Sequence, residues 1–95
     1  MAPSPAERVA IVTGASAGIG LHTALGLAGH GMHVVIVGRD PGRTERARRL
    51  VAERSGSPRI TTALADFASL AAVRQLAETI LAEHPRIDVL INNAG

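Results

Sequence analysis

Thr13-Gly14-Ala15-Ser16-Ala17-Gly18-Ile19-Gly20 lies between an apolar run, Val9-Ala10-Ile11-Val12, and a segment of helical character. Glycines at 14, 18 and 20, set at a strand-to-helix turn, make a cradle for a phosphate. A residue with no side chain lets the backbone turn sharply and lets a pyrophosphate approach it. The helix that opens here directs unpaired N–H groups and the positive end of its dipole at that anion. The common dinucleotide spacing is G-x-G-x-x-G. Here it is G-x-x-x-G-x-G, with the first two glycines further apart.

Outward from that loop the pattern alternates. Residues 1–7 carry Pro3 and Pro5 and read as a flexible leader. Arg8 to Thr13 reads as a strand, apolar and short enough to be buried on both faces. Gly18 to about His30 reads as a helix with Ile19, Thr23, Ala24, Leu27 and Ala28 on its inner side. Gly31 suits the left-handed residue just past its end. His33 to Gly38 is a second apolar strand. Asp40-Pro41 reads as the N-cap and first residue of a second helix. That helix turns Ala47, Leu50 and Val51 inward, and Ser55-Gly56-Ser57-Pro58 closes it. Arg59 to Ala65 is a weaker third strand, followed by the loop Asp66-Phe67-Ala68. Ser69 caps a third helix with Val73, Leu76, Ala77, Ile80 and Leu81 on one stripe, and Pro85 stops it. Ile87 to Ile91 is a fourth strand, with Asn92-Asn93-Ala94-Gly95 after it.

Strands and helices that alternate through short connections give a parallel sheet, because each crossover helix returns the chain in the same direction. The expected fold is α/β, Rossmann-like and three-layered. Right-handed crossovers predict four parallel strands in the order 3-2-1-4, truncated after the fourth.

Composition narrows the function. Ninety-five residues make at most one small domain, residues 8–95 here. The chain is 46% hydrophobic with Phe67 as its one aromatic residue, so the core is built from Val, Ile, Leu and Ala. A net charge of +2 is too small to argue for nucleic acid. The basic residues are all Arg, and those between Arg43 and Arg54 read as the solvated face of one helix, without aromatics for base stacking. With no cysteine there is no disulfide, thiolate metal site or thiol nucleophile. His22 and His30 fall on the outer side of a helix, His33 opens a strand and His84 suits a helix C-terminus. None forms a pair at ligand spacing, so no metal site is expected. The serines lack spaced His and Asp partners for a hydrolase triad. No Lys follows the glycines, which excludes a P-loop NTPase. No apolar run reaches the ~20 residues of a membrane span, and residues 1–6 lack a signal peptide's apolar stretch. A cytoplasmic protein with no membrane partner is the expectation.

Four positions in order resemble the pattern of the short-chain dehydrogenase/reductase family. They are the Thr-Gly-x-x-x-Gly-x-Gly loop at Thr13 to Gly20, the strand end at Gly38-Arg39, Asp66 after the third strand, and Asn92-Asn93-Ala94-Gly95 after the fourth. The resemblance covers residues 8–95 and implies a nicotinamide dinucleotide as cofactor. Gly14, Ser16, Gly18, Ile19 and Gly20 would then surround the pyrophosphate and adjacent ribose, through backbone N–H groups and the Ser16 hydroxyl. Asp66 would take the adenine amine and Phe67 would offer a backbone N–H; the other reading of Asp66 is a loop cap toward Ala68 or Ser69. Asn93, Ala94 and Gly95 would line the adenosine ribose, with Asn92 structural.

Arg39 selects between cofactors. An NAD-preferring site places an acid at the tip of the second strand to bond the ribose 2′-hydroxyl. Here the tip is Gly38, and Arg39 follows it. No carboxylate is there to repel a 2′-phosphate, and a guanidinium can pair with it and stack on adenine. In the family a basic residue at this place implies NADP rather than NAD. Ala17 stands where NADP-dependent members often carry a second basic residue. Asp40, followed by Pro41, reads as a helix cap and not as the ribose acid.

The family's chemistry uses a Tyr as general acid/base, a Lys four residues later that lowers its pKa, and a Ser that holds the substrate oxygen. The sequence contains neither tyrosine nor lysine, so no catalytic residue is assigned. The expectation is the NADP(H)-binding, N-terminal half of such an enzyme, inactive alone. The parent reaction would be hydride transfer between nicotinamide and a carbonyl or secondary alcohol, the small-molecule substrate binding only the full-length protein. The alternative is a non-catalytic nucleotide-binding module completed by a partner chain. In a half-domain the fourth strand is an open edge and the third helix lies alone on its face, which predicts exposed apolar surface and self-association.

Overall fold

The computed structural model describes residues 8–14, 18–66, 69–83 and 89–92. Its elements are β1 (Val9–Thr13), α1 (Gly18–Gly29), β2 (His33–Gly38), α2 (Pro41–Ser55), β3 (Ile60–Leu64), α3 (Leu70–Glu83) and β4 (Val89–Asn92). The four strands form one sheet in the order β3-β2-β1-β4. Every neighbouring pair is parallel. Thr13 lies level with Val37 on one side and Asn92 on the other, and Gly38 lies level with Leu64. The C-terminal ends of all four strands therefore meet along one edge of the sheet.

The central strands β1 and β2 are buried almost throughout because both faces are covered, whereas the edge strand β3 exposes Thr61, Thr62 and Leu64. Val12, Val34, Ile36 and Ile60 pack with Ala24 and Ala28 of α1 and with Ala47 and Val51 of α2. Val9, Ile11, Val35 and Val37 point the other way, toward Ala65 and Ile80. Alternation along each strand sends successive side chains to opposite layers. The result is three layers, with α1 and α2 on one face and α3 on the other.

Local signals set the helix ends. Past α1, Gly31 has φ 84°. Its N–H donates to Ala28 O at 3.0 Å and that of Met32 to Leu27 O at 3.4 Å, the paired bonds of a Schellman turn. Asp40 caps α2: its Oδ1 accepts from Gly42 N at 2.8 Å and Arg43 N at 3.4 Å, with Pro41 opening the helix. Gly56 closes α2 at φ 72°. The Ser69 hydroxyl accepts from Ala72 N at 3.2 Å and caps α3.

All three helices depart in part from the faces expected from the sequence. In α1 the buried residues are Gly20, Ala24 and Ala28, while Ile19 is 78% exposed. Thr23 is half-buried and donates to Ile19 O at 2.9 Å. This helix is apolar nearly all round, so spacing alone does not set which side faces in. Its small residues take the sheet-facing side because they allow the closest approach to β1. In α3 only Ile80 is buried; Val73 and Leu76 are half-buried, and Ala77 and Leu81 are exposed. One helix resting on a sheet covers only a narrow strip of itself. Leu50 in α2 is likewise half-buried rather than core. An open groove of about 400 Å³ runs between α3 and β3, bordered by Thr62, Leu64, Gln75, Thr79 and Glu83.

Candidate functional site

The turn after β1 begins at Gly14, whose φ of 67° is a left-handed conformation that suits glycine. Its N–H donates to Val37 O at 3.3 Å, tying the turn to β2. Gly18 opens α1 at φ 62°, and a Cβ built there would meet no atom of the described residues within 4 Å. No acidic side chain lies in the first turn of α1 to neutralise its dipole. Ile19 projects from that turn into solvent, and Gly20 is buried one residue on.

The neighbouring strand end is built differently. Gly38 is half-buried at the tip of β2, and its carbonyl accepts from Ala65 N at 3.0 Å, which binds β3's exit to it. Arg39 is exposed, with no side-chain hydrogen bond or ion pair among the described residues. Asp40 is occupied as the cap of α2. Thr44, one turn into α2, is 3% exposed. Its hydroxyl donates to Asp40 O at 2.6 Å, and its N–H donates to the same oxygen at 3.0 Å.

Asp66 leaves β3 on this same edge with an exposed side chain, while its carbonyl accepts from Ser69 N at 3.0 Å. The structure thus brings Gly14, Gly18, Ile19, Gly20, Arg39 and Asp66 to one end of the sheet. That end adjoins the point between β1 and β4 where strand order reverses, the usual ligand position in open α/β sheets. Ser16, Phe67, Asn93, Ala94 and Gly95 lie outside the described residues, as do residues 1–7, Ala17, His84 and Pro85. Sequence reasoning did not single out Thr44. A threonine in the first turns of a helix carries no signal of what its hydroxyl meets across the strand.

Among the described residues no three His, Asp or Glu side chains gather to hold a metal. None of the described helices is long and apolar enough to cross a membrane.

Residues 8–95 match the family model described as short chain dehydrogenase. The chain belongs to the short chain dehydrogenase family. Among curated relatives, human dehydrogenase/reductase SDR family member 13 is 46% identical over 88 residues, 93% of this chain and 23% of that protein. Mouse retinol dehydrogenase 13 is 39% identical over 93% of this chain and 26% of its own length. Among solved structures, a metagenomic short-chain oxidoreductase in complex with NADP superimposes with a TM-score of 0.85 at 37% identity, over 94% of this chain and 39% of that one. This family member therefore spans about a quarter of the curated relatives it matches.

Proposed function

We propose that this chain is the NADP(H)-binding portion of a short chain dehydrogenase, the half that grips the adenosine end of the cofactor. The observation that carries the reading is the pairing, on one sheet edge, of left-handed glycines at Gly14 and Gly18 with a strand tip that offers Arg39 and whose neighbouring Asp40 is taken up as a helix cap. The residues fit the group: a left-handed Gly18 with no described residue against an added Cβ admits a pyrophosphate, and a guanidinium with no partner among the described residues suits a 2′-phosphate. Gly14, Ser16, Gly18, Ile19 and Gly20 would hold the pyrophosphate and its ribose. Arg39 would hold the 2′-phosphate, and Asp66 with Phe67 the adenine. Asn93, Ala94 and Gly95 would line the adenosine ribose.

The nicotinamide of the bound cofactor supplies a hydride donor or acceptor, and the whole protein's reaction would be carbonyl reduction or its reverse on a small molecule. These 95 residues hold the cofactor and contain no tyrosine or lysine to move the proton. L-Sorbose reductase from Gluconobacter frateurii, solved with NADPH and L-sorbose, supports the reading: it superimposes with a TM-score of 0.81 at 38% identity, over 92% of this chain and 33% of that one. The test is titration of the purified chain with NADP and NAD by calorimetry. NADP binding tighter than NAD, without turnover of NADPH, is the expected result. Equal affinity for the two, or failure to bind either, refutes it.

A further inference from the structure

Gly38 has no room for a side chain. A Cβ built on it lands on the Thr44 hydroxyl oxygen, inside hard contact, and comes within 3.4 Å of Thr44 Cβ and 3.6 Å of Cγ2. The last two distances are ordinary packing; the first is not. Thr44 cannot give way cheaply. It is buried, its branch stiffens χ1, and its hydroxyl is held by the 2.6 Å bond to Asp40 O. Rotating χ1 would break that bond, and it would move a methyl or the hydroxyl into a packed interior.

The position so closed has a particular meaning. An NAD site needs a carboxylate at the tip of the second strand, reaching the ribose 2′-hydroxyl. Residue 38 is that tip. We propose that Thr44 is a specificity-determining residue: by filling the space beside residue 38, it holds the strand tip to glycine and leaves the 2′ position to Arg39. This rests on the NADP reading above. It assigns the choice of cofactor to two residues with distinct tasks, Arg39 attracting a phosphate and Thr44 barring the competing acid. Thr44 does so from inside the protein, as a positioning residue that touches no cofactor.

Two measurements separate this proposal from the reading beneath it. The first is thermal melting of Gly38→Ala, Thr44→Ala, Thr44→Val and the two double variants. Thr44→Ala deletes only the clashing atom and a methyl, whereas Thr44→Val keeps a methyl where the hydroxyl was. Gly38→Ala should lower the melting temperature by about 5 °C or more in the native and Thr44→Val backgrounds. It should cost little in the Thr44→Ala background. If Gly38→Ala melts like the native chain, or loses as much beside Thr44→Ala, Thr44 bars nothing and the proposal falls, whatever nucleotide the chain binds.

The second measurement is the ratio of NADP to NAD affinity in Gly38→Asp/Thr44→Ala against Thr44→Ala alone. A shift toward NAD of about tenfold or more supports the assignment. An unchanged ratio in a folded double variant overturns it. If the native chain binds neither nucleotide, the cofactor reading fails and the selector role fails with it, while the melting cycle still reports the contact.

Discussion

The Gly14 amide donates to the carbonyl of Val37 at 3.3 Å. That bond extends the β1–β2 pairing by one residue into the turn leaving β1. The glycine cradle and the strand tip that carries Arg39 thereby keep a fixed spacing. Such rigidity is what two-point recognition of a long ligand needs, since a loose element would spend binding energy on its own ordering.

Gly18→Ala should show strain without a clash. The residue sits at φ 62°, and no described residue comes within 4 Å of the added methyl. A left-handed alanine costs about 1–2 kcal/mol, so chemical denaturation should report a loss of that size. Nucleotide affinity should fall further than stability explains, because the methyl enters the cradle. Titration with NADP under conditions where the variant is fully folded separates the two effects.

Arg39→Ala should leave stability within about 0.5 kcal/mol of the native value, as an exposed side chain with no described partner. NADP affinity should drop by about tenfold or more, the scale of a charged hydrogen bond. NAD affinity should hold. Calorimetric titration of both nucleotides checks this, and a parallel loss for both would remove Arg39 from the 2′ site.

Asp40→Ala should behave in the opposite way. The carboxylate caps α2 through Gly42 N and Arg43 N. Its removal should cost about 1 kcal/mol of folding stability. Asp40→Asn should recover most of it, and neither change should alter the ratio of NADP to NAD binding. A shift of that ratio toward NADP on removing Asp40 would make it part of the ribose site after all.

Glu45 gives a pH signature. Hydrogen bonds from the Arg48 guanidinium hold its carboxyl below the ordinary value of 4.5, with Arg49 adding at 3.4 Å. A carboxyl depressed in the folded state contributes stability above its unfolded value and loses it as pH falls through the folded one. The melting difference between the native chain and Glu45→Gln should therefore be present at neutral pH and vanish in the acid range below 4.5. The pair is partly open to solvent, so added salt should shrink the same difference.

Much of this layout is legible in the residues. The β-branched runs at Val9–Thr13 and His33–Gly38, the Asp-Pro start of α2 and the glycines at 31 and 56 each carry a local cause that survives folding. The cradle is legible because left-handed turns at Gly14 and Gly18 demand glycine. The facing of Ile19 is not, since α1 offers an apolar residue in nearly every direction and tertiary fit makes the choice. Ala77 and Leu81 mislead for a related reason: a wide apolar stripe says which face seeks cover, not how much of it the sheet can supply. Thr44 is silent in sequence because its meaning is the distance to a strand six residues upstream.

The thin seating of α3, anchored at Ile80 with Leu81 and Leu70 turned outward, has a kinetic consequence. Elements held by few buried contacts open well before the molecule unfolds as a whole. In deuterated water, amides of α3 should label early, while those of β1 and β2 wait for global opening. Because Asp66 and Ser69 sit at the near end of this helix, each such opening would momentarily loosen the exit of β3 while the β1–β2 side of the edge stays shut.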